Sequence, residues 1–223
     1  MRKVYYTWMK RLTLIASVII FGDLAAISAK AQQPGAVKAA SLESHDGMTV
    51  SALPWTDPAL YKTKFSKKSP FASGVLAVQV AFRNDSDEAI KIDLTRIRLS
   101  VRIDEENQQQ LARLKSEEVA DVTLKVGAKD PTKRRIPLPF PIGVPKGGPG
   151  KDWQTVQREA QDAGIPTNVV APHSTVAGLL YFDIQGQLEL LATARLYVPD
   201  LVFMSKNQAL LYFDVDLSRP GKN

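Results

Sequence analysis

The chain contains no cysteine. A disulfide and a lipid-modified cysteine are both excluded, so its stability has to come from the core alone. Histidine is scarce too: His45 and His173 are the only two in 223 residues. Two histidines without cysteine cannot complete a standard zinc site. His173 lies directly beside Ser174, and strand geometry turns such neighbours to opposite faces, which argues against a Ser/His nucleophile pair. No catalytic residue, metal ligand or cofactor is expected. Asp85-Ser86-Asp87-Glu88 supplies the oxygens that a loosely held Ca²⁺ would use, but it lacks the glycine and the distant glutamate of an EF-hand. Pro and Gly are scattered without a collagen-like period, and the apolar content of 44% is ordinary for a globular domain.

The one long apolar run lies at the start. Arg2, Lys3, Lys10 and Arg11 precede Leu12 to Phe21, and Ala29-Lys30-Ala31 follows as a small-x-small site. This pattern predicts a signal peptide over residues 1–31, cleaved after Ala31, with an extracytoplasmic (periplasmic or secreted) product. Leu12 to Ile27 contains Asp23 and falls short of the roughly 20 apolar residues of a spanning helix, so no stable membrane span is expected after cleavage. The leader also holds much of the positive charge. The remaining 192 residues carry 24 Lys+Arg against 22 Asp+Glu, and a general nucleic-acid or anionic-membrane role loses its support. A chain of that length buries about 70% of its unfolded surface and needs no covalent staple.

The centre of the sequence is the stretch from Ser73 to Ile103. Leu76, Val78, Val80 and Phe82 recur at every second residue and therefore share one strand face. Asn84 to Glu88 reads as a polar turn. Apolar residues return at Ile90, Ile92 and Leu94, then at Ile97, Leu99, Val101 and Ile103. The change from even to odd positions requires a bulge or a strand break at Thr95-Arg96. Spacing by three and four, which a helix would need, is absent here.

Around this core the reading is mixed. Residues 32–46 form a flexible lead-in, and Met48 to Leu53 a first strand. Asp57-Pro58 starts a short helix over Ala59 to Phe65, with Tyr61 and Phe65 on one side. From Glu105 to Val126, Leu111, Leu114, Val119 and Val122 fit a loose helical spacing, with Ser116 as a cap before Glu117 and Glu118. Gly127 to Gly150 holds six prolines and five glycines in 24 residues, a polyproline-like insertion with two readings: a strap along a sheet edge with Leu138 and Phe140 tucked in, or a loop on which Leu138 and Phe140 bind a partner. Trp153, Val156 and Ala160 predict an amphipathic helix that Gly164 and Pro166 stop. Strands follow over 176–184, 188–198 and 209–217. The hexapeptide Leu179-Leu180-Tyr181-Phe182-Asp183-Ile184 is echoed by Leu210-Leu211-Tyr212-Phe213-Asp214-Val215, with Leu180, Phe182 and Ile184 matching Leu211, Phe213 and Val215 on one face.

Long strands, polar turns and few helices predict a mainly β single domain over residues 47–219. The expected form is an immunoglobulin-like antiparallel β-sandwich with one to three short helices and a Pro/Gly-rich loop at 127–150. Phe82-Arg83-Asn84-Asp85-Ser86, Ile90-Lys91-Ile92-Asp93-Leu94 and Val170-Ala171-Pro172-His173-Ser174 before Gly178-Leu179-Leu180-Tyr181-Phe182-Asp183 resemble uncharacterised immunoglobulin-like domains of exported bacterial proteins. They are more distantly similar to the water-stress, late-embryogenesis-abundant type of sandwich, which also places Asn at this first turn. The resemblance spans about residues 70–217. It implies binding of a ligand or partner in the envelope and transfers no catalytic residue.

The expected function is a non-catalytic interaction or structural module that binds an envelope protein or other envelope component. Arg96, Arg98 and Arg102 alternate with apolar residues and are expected to line one strand face. With Lys133, Arg134 and Arg135 they form a candidate surface for an anionic partner, since guanidinium groups suit carboxylate and phosphate recognition. The alternative is a carboxylate-based hydrolase of envelope polysaccharide, for which pairs such as Asp85 with Asp87 and Asp214 with Asp216 are available.

Overall fold

In β3 (Val75–Asn84) the two-residue repeat of apolar side chains becomes the middle of a sheet, with Leu76, Val78, Val80 and Phe82 fully buried. The structure is a computed structural model that describes residues 40–102, 107–125 and 150–218. The expected leader and the proline-rich segment, with Lys133, Arg134, Arg135, Leu138 and Phe140, lie outside the described residues.

Before β3 come β1 (Ser41–His45), β2 (Met48–Pro54), the single turn α1 (Pro58–Tyr61) and a 3-10 turn at Pro70–Ser73. After it come β4 (Ile90–Ile92), a 3-10 turn at Leu94–Arg96, β5 (Arg98–Arg102), β6 (Gln108–Leu114), α2 (Ser116–Leu124) and α3 (Lys151–Ala163). The last part holds β7 (Val169–Val170), β8 (Ser174–Asp183), a 3-10 turn at Leu188–Thr193, β9 (Arg195–Val198), β10 (Leu201–Phe203), β11 (Gln208–Ala209) and β12 (Phe213–Asp216). The protein is mainly β. Eight strands form one sheet in the order β1-β2-β3-β8-β6-β5-β9-β12, and four form another in the order β11-β10-β4-β7. Every pairing between these strands is antiparallel.

Two long ribbons build both sheets. The β3/β8 ladder ends at Asn84↔Ser174, and pairing resumes in the small sheet at Ile90↔Val170. The β9/β12 pair likewise continues beyond Pro199-Asp200 as β10/β11. Each ribbon therefore bends from one sheet into the other, a way of turning a corner that keeps one core between two layers. Asn84 pins the first bend. Its buried Nδ2 donates to the carbonyls of Glu88, Val170 and Ala171, and its Oδ1 accepts from the amide and hydroxyl of Ser86. At the far margins the eight-stranded sheet curls back on itself, nearly as a barrel. The amide of Asp214 in β12 donates to Glu43 Oε2 of β1 at 2.5 Å, and the His45 ring stacks on Phe213 at 3.8 Å.

The inner faces share one apolar core, which joins the β3 residues to Ile90, Ile92, Leu99, Val101, Leu196 and Phe213, among others. A second cluster covers the opposite face of β3 and β8. There Val75, Ala77, Leu179 and Tyr181 meet Trp55, Tyr61, Phe65, Val119, Val156 and Ala160 from the helical layer. β8 is apolar on both faces because both are covered. Tyr61 is wholly buried at this layer: its hydroxyl accepts from the Ala77 amide at 2.7 Å and donates to the Trp55 carbonyl at 3.2 Å. The end of α3 presses on β8 so closely that a Cβ on Gly178 would stand 2.4 Å from the Gly164 carbonyl oxygen.

Several expectations need correction. The strand break at Thr95-Arg96 is present as the 3-10 turn, but the strands on either side of Asn84 to Glu88 belong to different sheets. A strand begins at Ser41, inside the stretch read as a flexible lead-in. Residues 108–114 form strand β6 where a helix was expected, and Leu111 and Leu114 serve opposite cores. Ser116 is not the cap: Lys115 holds that position, and its amide donates to the Glu118 carboxylate at 2.7 Å. The helix expected over 59–65 closes at Tyr61, with Asp57 accepting from the Ala59 amide. Residues 188–193 form a 3-10 turn, because Leu191 and Ala194, three apart, are the buried pair. The final strand is split between the sheets, so Leu211 is 69% exposed and leaves the face that the hexapeptide echo assigned to it.

Candidate binding cleft

The crossings between sheets create the site. As the chain leaves β4 for β5, Asp93 stops the ladder: its Oδ1 accepts from the Thr95 amide at 2.9 Å and the Thr95 hydroxyl at 2.6 Å. This local pairing starts the 3-10 turn. The Thr95 hydroxyl holds the Asp93 carboxyl below the usual carboxylate range, aided by the charges of Arg96 and Lys91. Arg96 reaches from the same turn to Asp200, with Nη1 and Oδ2 at 2.9 Å. Asp200 has a positive φ of 56° at the bend between β9 and β10. That conformation is uncommon outside glycine and best tolerated by Asp and Asn.

These groups border a cleft of about 670 Å³. Lys91 and Asn168 stand on the small-sheet side, with Asn207 at the β10–β11 turn, where φ is again positive at 49°. From the large sheet comes Arg113. It lies two residues from Leu111 in β6 and so shares the inward face, where Leu111 reaches the main core. Arg113 is half-buried, and burial draws its guanidinium below its ordinary value against the counter-pull of Glu118 and Asp93. It stays a cation, because free guanidinium ionises far above neutrality. Among the described residues no carboxylate stands within the 4.0 Å of an ion pair to Arg113.

The arginine face expected from sequence is not a single surface. Arg96 sits on the turn and lines the cleft, whereas Arg98 folds back, donating from Nη1 to the Thr95 and Ile97 carbonyls. Arg102 is exposed at the other end of β5. The break that moves the apolar phase also takes Arg96 off the strand. Lys133, Arg134, Arg135, Leu138 and Phe140 are outside the described residues. The acidic turn disperses its carboxylates: Asp85 pairs with Arg83, Asp87 with His173 at 2.8 Å, and Glu88 with Lys206. Asp214 pairs with Arg195 at 2.7 Å, and Asp216 accepts from Ser218. Arg113, Lys91, Asn168, Asp200 and Asn207 were not singled out by the sequence reading. The available signal was parity: Arg113 occupies the position where the Leu111 face of β6 calls for an apolar side chain.

No family model matches the chain, and no curated protein matches it. Among solved structures, one match is the crystal structure of a functionally unknown protein from Listeria monocytogenes EGD-e. It is 12% identical over 80% of this chain and 82% of that one, with a TM-score of 0.36, too distant a likeness to inform fold or function.

Proposed function

We propose that this chain is an exported, non-catalytic interaction module of the bacterial envelope, built as an immunoglobulin-like sandwich, that receives an anionic group of an envelope partner in the cleft. The observation that carries the reading is the Arg113 guanidinium, half-buried in the cleft wall with no carboxylate at ion-pair distance among the described residues, its burial outweighing the pull of Glu118 and Asp93. A charge partly withdrawn from water is costly unless an opposite charge compensates it. A guanidinium also presents two parallel donors that match carboxylate or phosphate oxygens. Lys91 and Arg96 add positive charge beside it. Export is supported by the basic start, the apolar run and the small-x-small site of residues 1–31, together with the lack of cysteine. The immunoglobulin-like reading is supported by the antiparallel sheets around one core and by the asparagine at the first bend.

The hydrolase alternative has one observation in its favour, since Asp93 and Asp200 share the cleft. A two-carboxylate glycosidase needs one of its acids held protonated. Thr95 keeps Asp93 ionised and Arg96 pairs with Asp200, which favours binding over hydrolysis. The test is binding of the processed protein to an anionic envelope polymer, followed by calorimetry. Arg113→Gln is expected to weaken binding about tenfold or more, the worth of a charge-assisted bidentate contact. Arg98→Ala with Arg102→Ala should leave binding unchanged. Equal binding by Arg113→Gln would remove the reading. Release of reducing ends from the polymer, abolished by Asp93→Asn, would establish the hydrolase instead.

A further inference from the structure

We infer that the anionic group recognised in this cleft belongs to a hydroxylated ligand, an oxyanion flanked by vicinal hydroxyls as in a sugar acid or a polyol phosphate. This rests on the anion-binding reading above and goes further by naming what surrounds the anion. The cleft pairs its cations with two carboxylates. Asp93 engages Oδ1 with Thr95, and Asp200 engages Oδ2 with Arg96. Among the described residues the other oxygen of each makes no hydrogen bond within the protein, and the exposed side-chain amides of Asn168 and Asn207 make none either, so all four are open to a ligand.

Each simpler ligand leaves part of this set unsatisfied. A bare anion would meet Arg113 but bring no donor to the two carboxylate oxygens, which would repel it. A neutral sugar would supply donors to Asp93 and Asp200 but bring no charge to the guanidinium, which the pull of Glu118 and Asp93 only partly offsets. An oxyanion bearing neighbouring hydroxyls satisfies both: the anion takes the parallel guanidinium donors, and hydroxyls donate to the carboxylates while accepting from the amides. Leu94 and Val202 add partly exposed apolar surface for the C–H face of such a ligand. The volume of about 670 Å³ lies within the roughly 300–1,000 Å³ of small-molecule sites.

Isothermal titration at constant ionic strength decides the matter with three pairs of ligands: glucuronate against acetate, glycerol phosphate against inorganic phosphate, and glucose or glycerol as the neutral arm. At least one hydroxylated anion is expected to bind about tenfold tighter than its plain counterpart, the worth of one or two additional hydrogen bonds to charged groups. The neutral compounds should give no measurable binding. Which of the two anions wins identifies the carboxylate or phosphate source. Arg113→Gln should abolish binding of both. Asp93→Asn and Asp200→Asn should each lose the tenfold preference while binding acetate or phosphate at least as well as the parent protein. Two substitutions are used because the loss of the Arg96 partner at Asp200 could disturb the bend, and unchanged circular dichroism must accompany either result. Plain anions binding as tightly as hydroxylated ones would overturn this inference and leave the anion-binding reading standing. Neutral sugars binding as well as the acids would overturn it too. If no anion binds the parent protein at all, both fall together.

Discussion

Asn84 shows how much one polar side chain can hold. It is fully buried and donates to three carbonyls from two separate segments; Asn84→Ala removes all three bonds, while the Glu88 and Ala171 carbonyls keep the hydroxyls of Ser86 and Ser174. The expected loss is about 1–3 kcal/mol, the worth of leaving a buried polar group unsatisfied. Urea unfolding with an unchanged slope would verify it. Gly178 is constrained by space, since backbone atoms of Gly164 and Ile165 occupy the place of its missing Cβ. Gly178→Ala should cost about 1–3 kcal/mol through overpacking, read as a lowered thermal midpoint. Tyr61 and Tyr181 make the folded state sensitive to alkali. Burial raises both phenols above their ordinary value, so the folded protein keeps protons that the unfolded chain releases near pH 10. Their stabilising contribution is complete below that pH and is lost as pH rises beyond it. The Tyr61→Phe, Tyr181→Phe double variant should therefore show a shallower decline of stability between about pH 10 and 12. Little of this was legible in the sequence. The asparagine at the turn was, but its three acceptors come from residues 88, 170 and 171, and only the fold brings the last two to it.

At the level of elements, legibility followed burial. Where one face of a strand is wholly buried, as at Leu76, Val78, Val80 and Phe82, alternation is clean and the strand was readable. The phase change at Thr95-Arg96 was readable for the same reason. β6 was not, because Gln108, Gln109 and Gln110 are exposed and its inward position after Leu111 is held by a charged residue. Leu111 and Leu114, three apart, then imitate a helix although they point into different cores. The candidate site was missed for a related reason: Arg96 was found, but beyond its own run from Lys91 the cleft is lined from four other segments, at Arg113, Asn168, Asp200 with Val202, and Asn207, that share no local pattern. The helical layer offers a test of its own attachment. Trp153 Nε1 donates to Asp121 Oδ1 at 2.7 Å and ties α3 to α2. Asp121→Ala should cost about 1–3 kcal/mol, since the bond joins a charged acceptor to a part-buried donor. A red shift of Trp153 fluorescence would report the loosened contact.

For the molecule as a whole, the main core and the core under the helical layer pack on opposite faces of one pair of strands of the large sheet, β3 and β8, and damage there reaches both. Among the described residues no helix is long and apolar enough to cross a membrane. If the leader is removed as its sequence predicts, amino-terminal sequencing of the exported protein should begin at Gln32, and an uncleaved Met1 would refute that step. The margins of the large sheet give the last consequence. The residues that meet there, Glu43 and Asp214, stand 171 apart in the chain. Contacts between such distant positions form late, because a long loop must first be closed. β1 thus waits for β12, and a product that stops short of Phe213 would retain two bare borders ready to recruit strands from other copies. Formation of β12 is in that sense the latch of the large sheet, and trimming a few residues from it should make the protein aggregate.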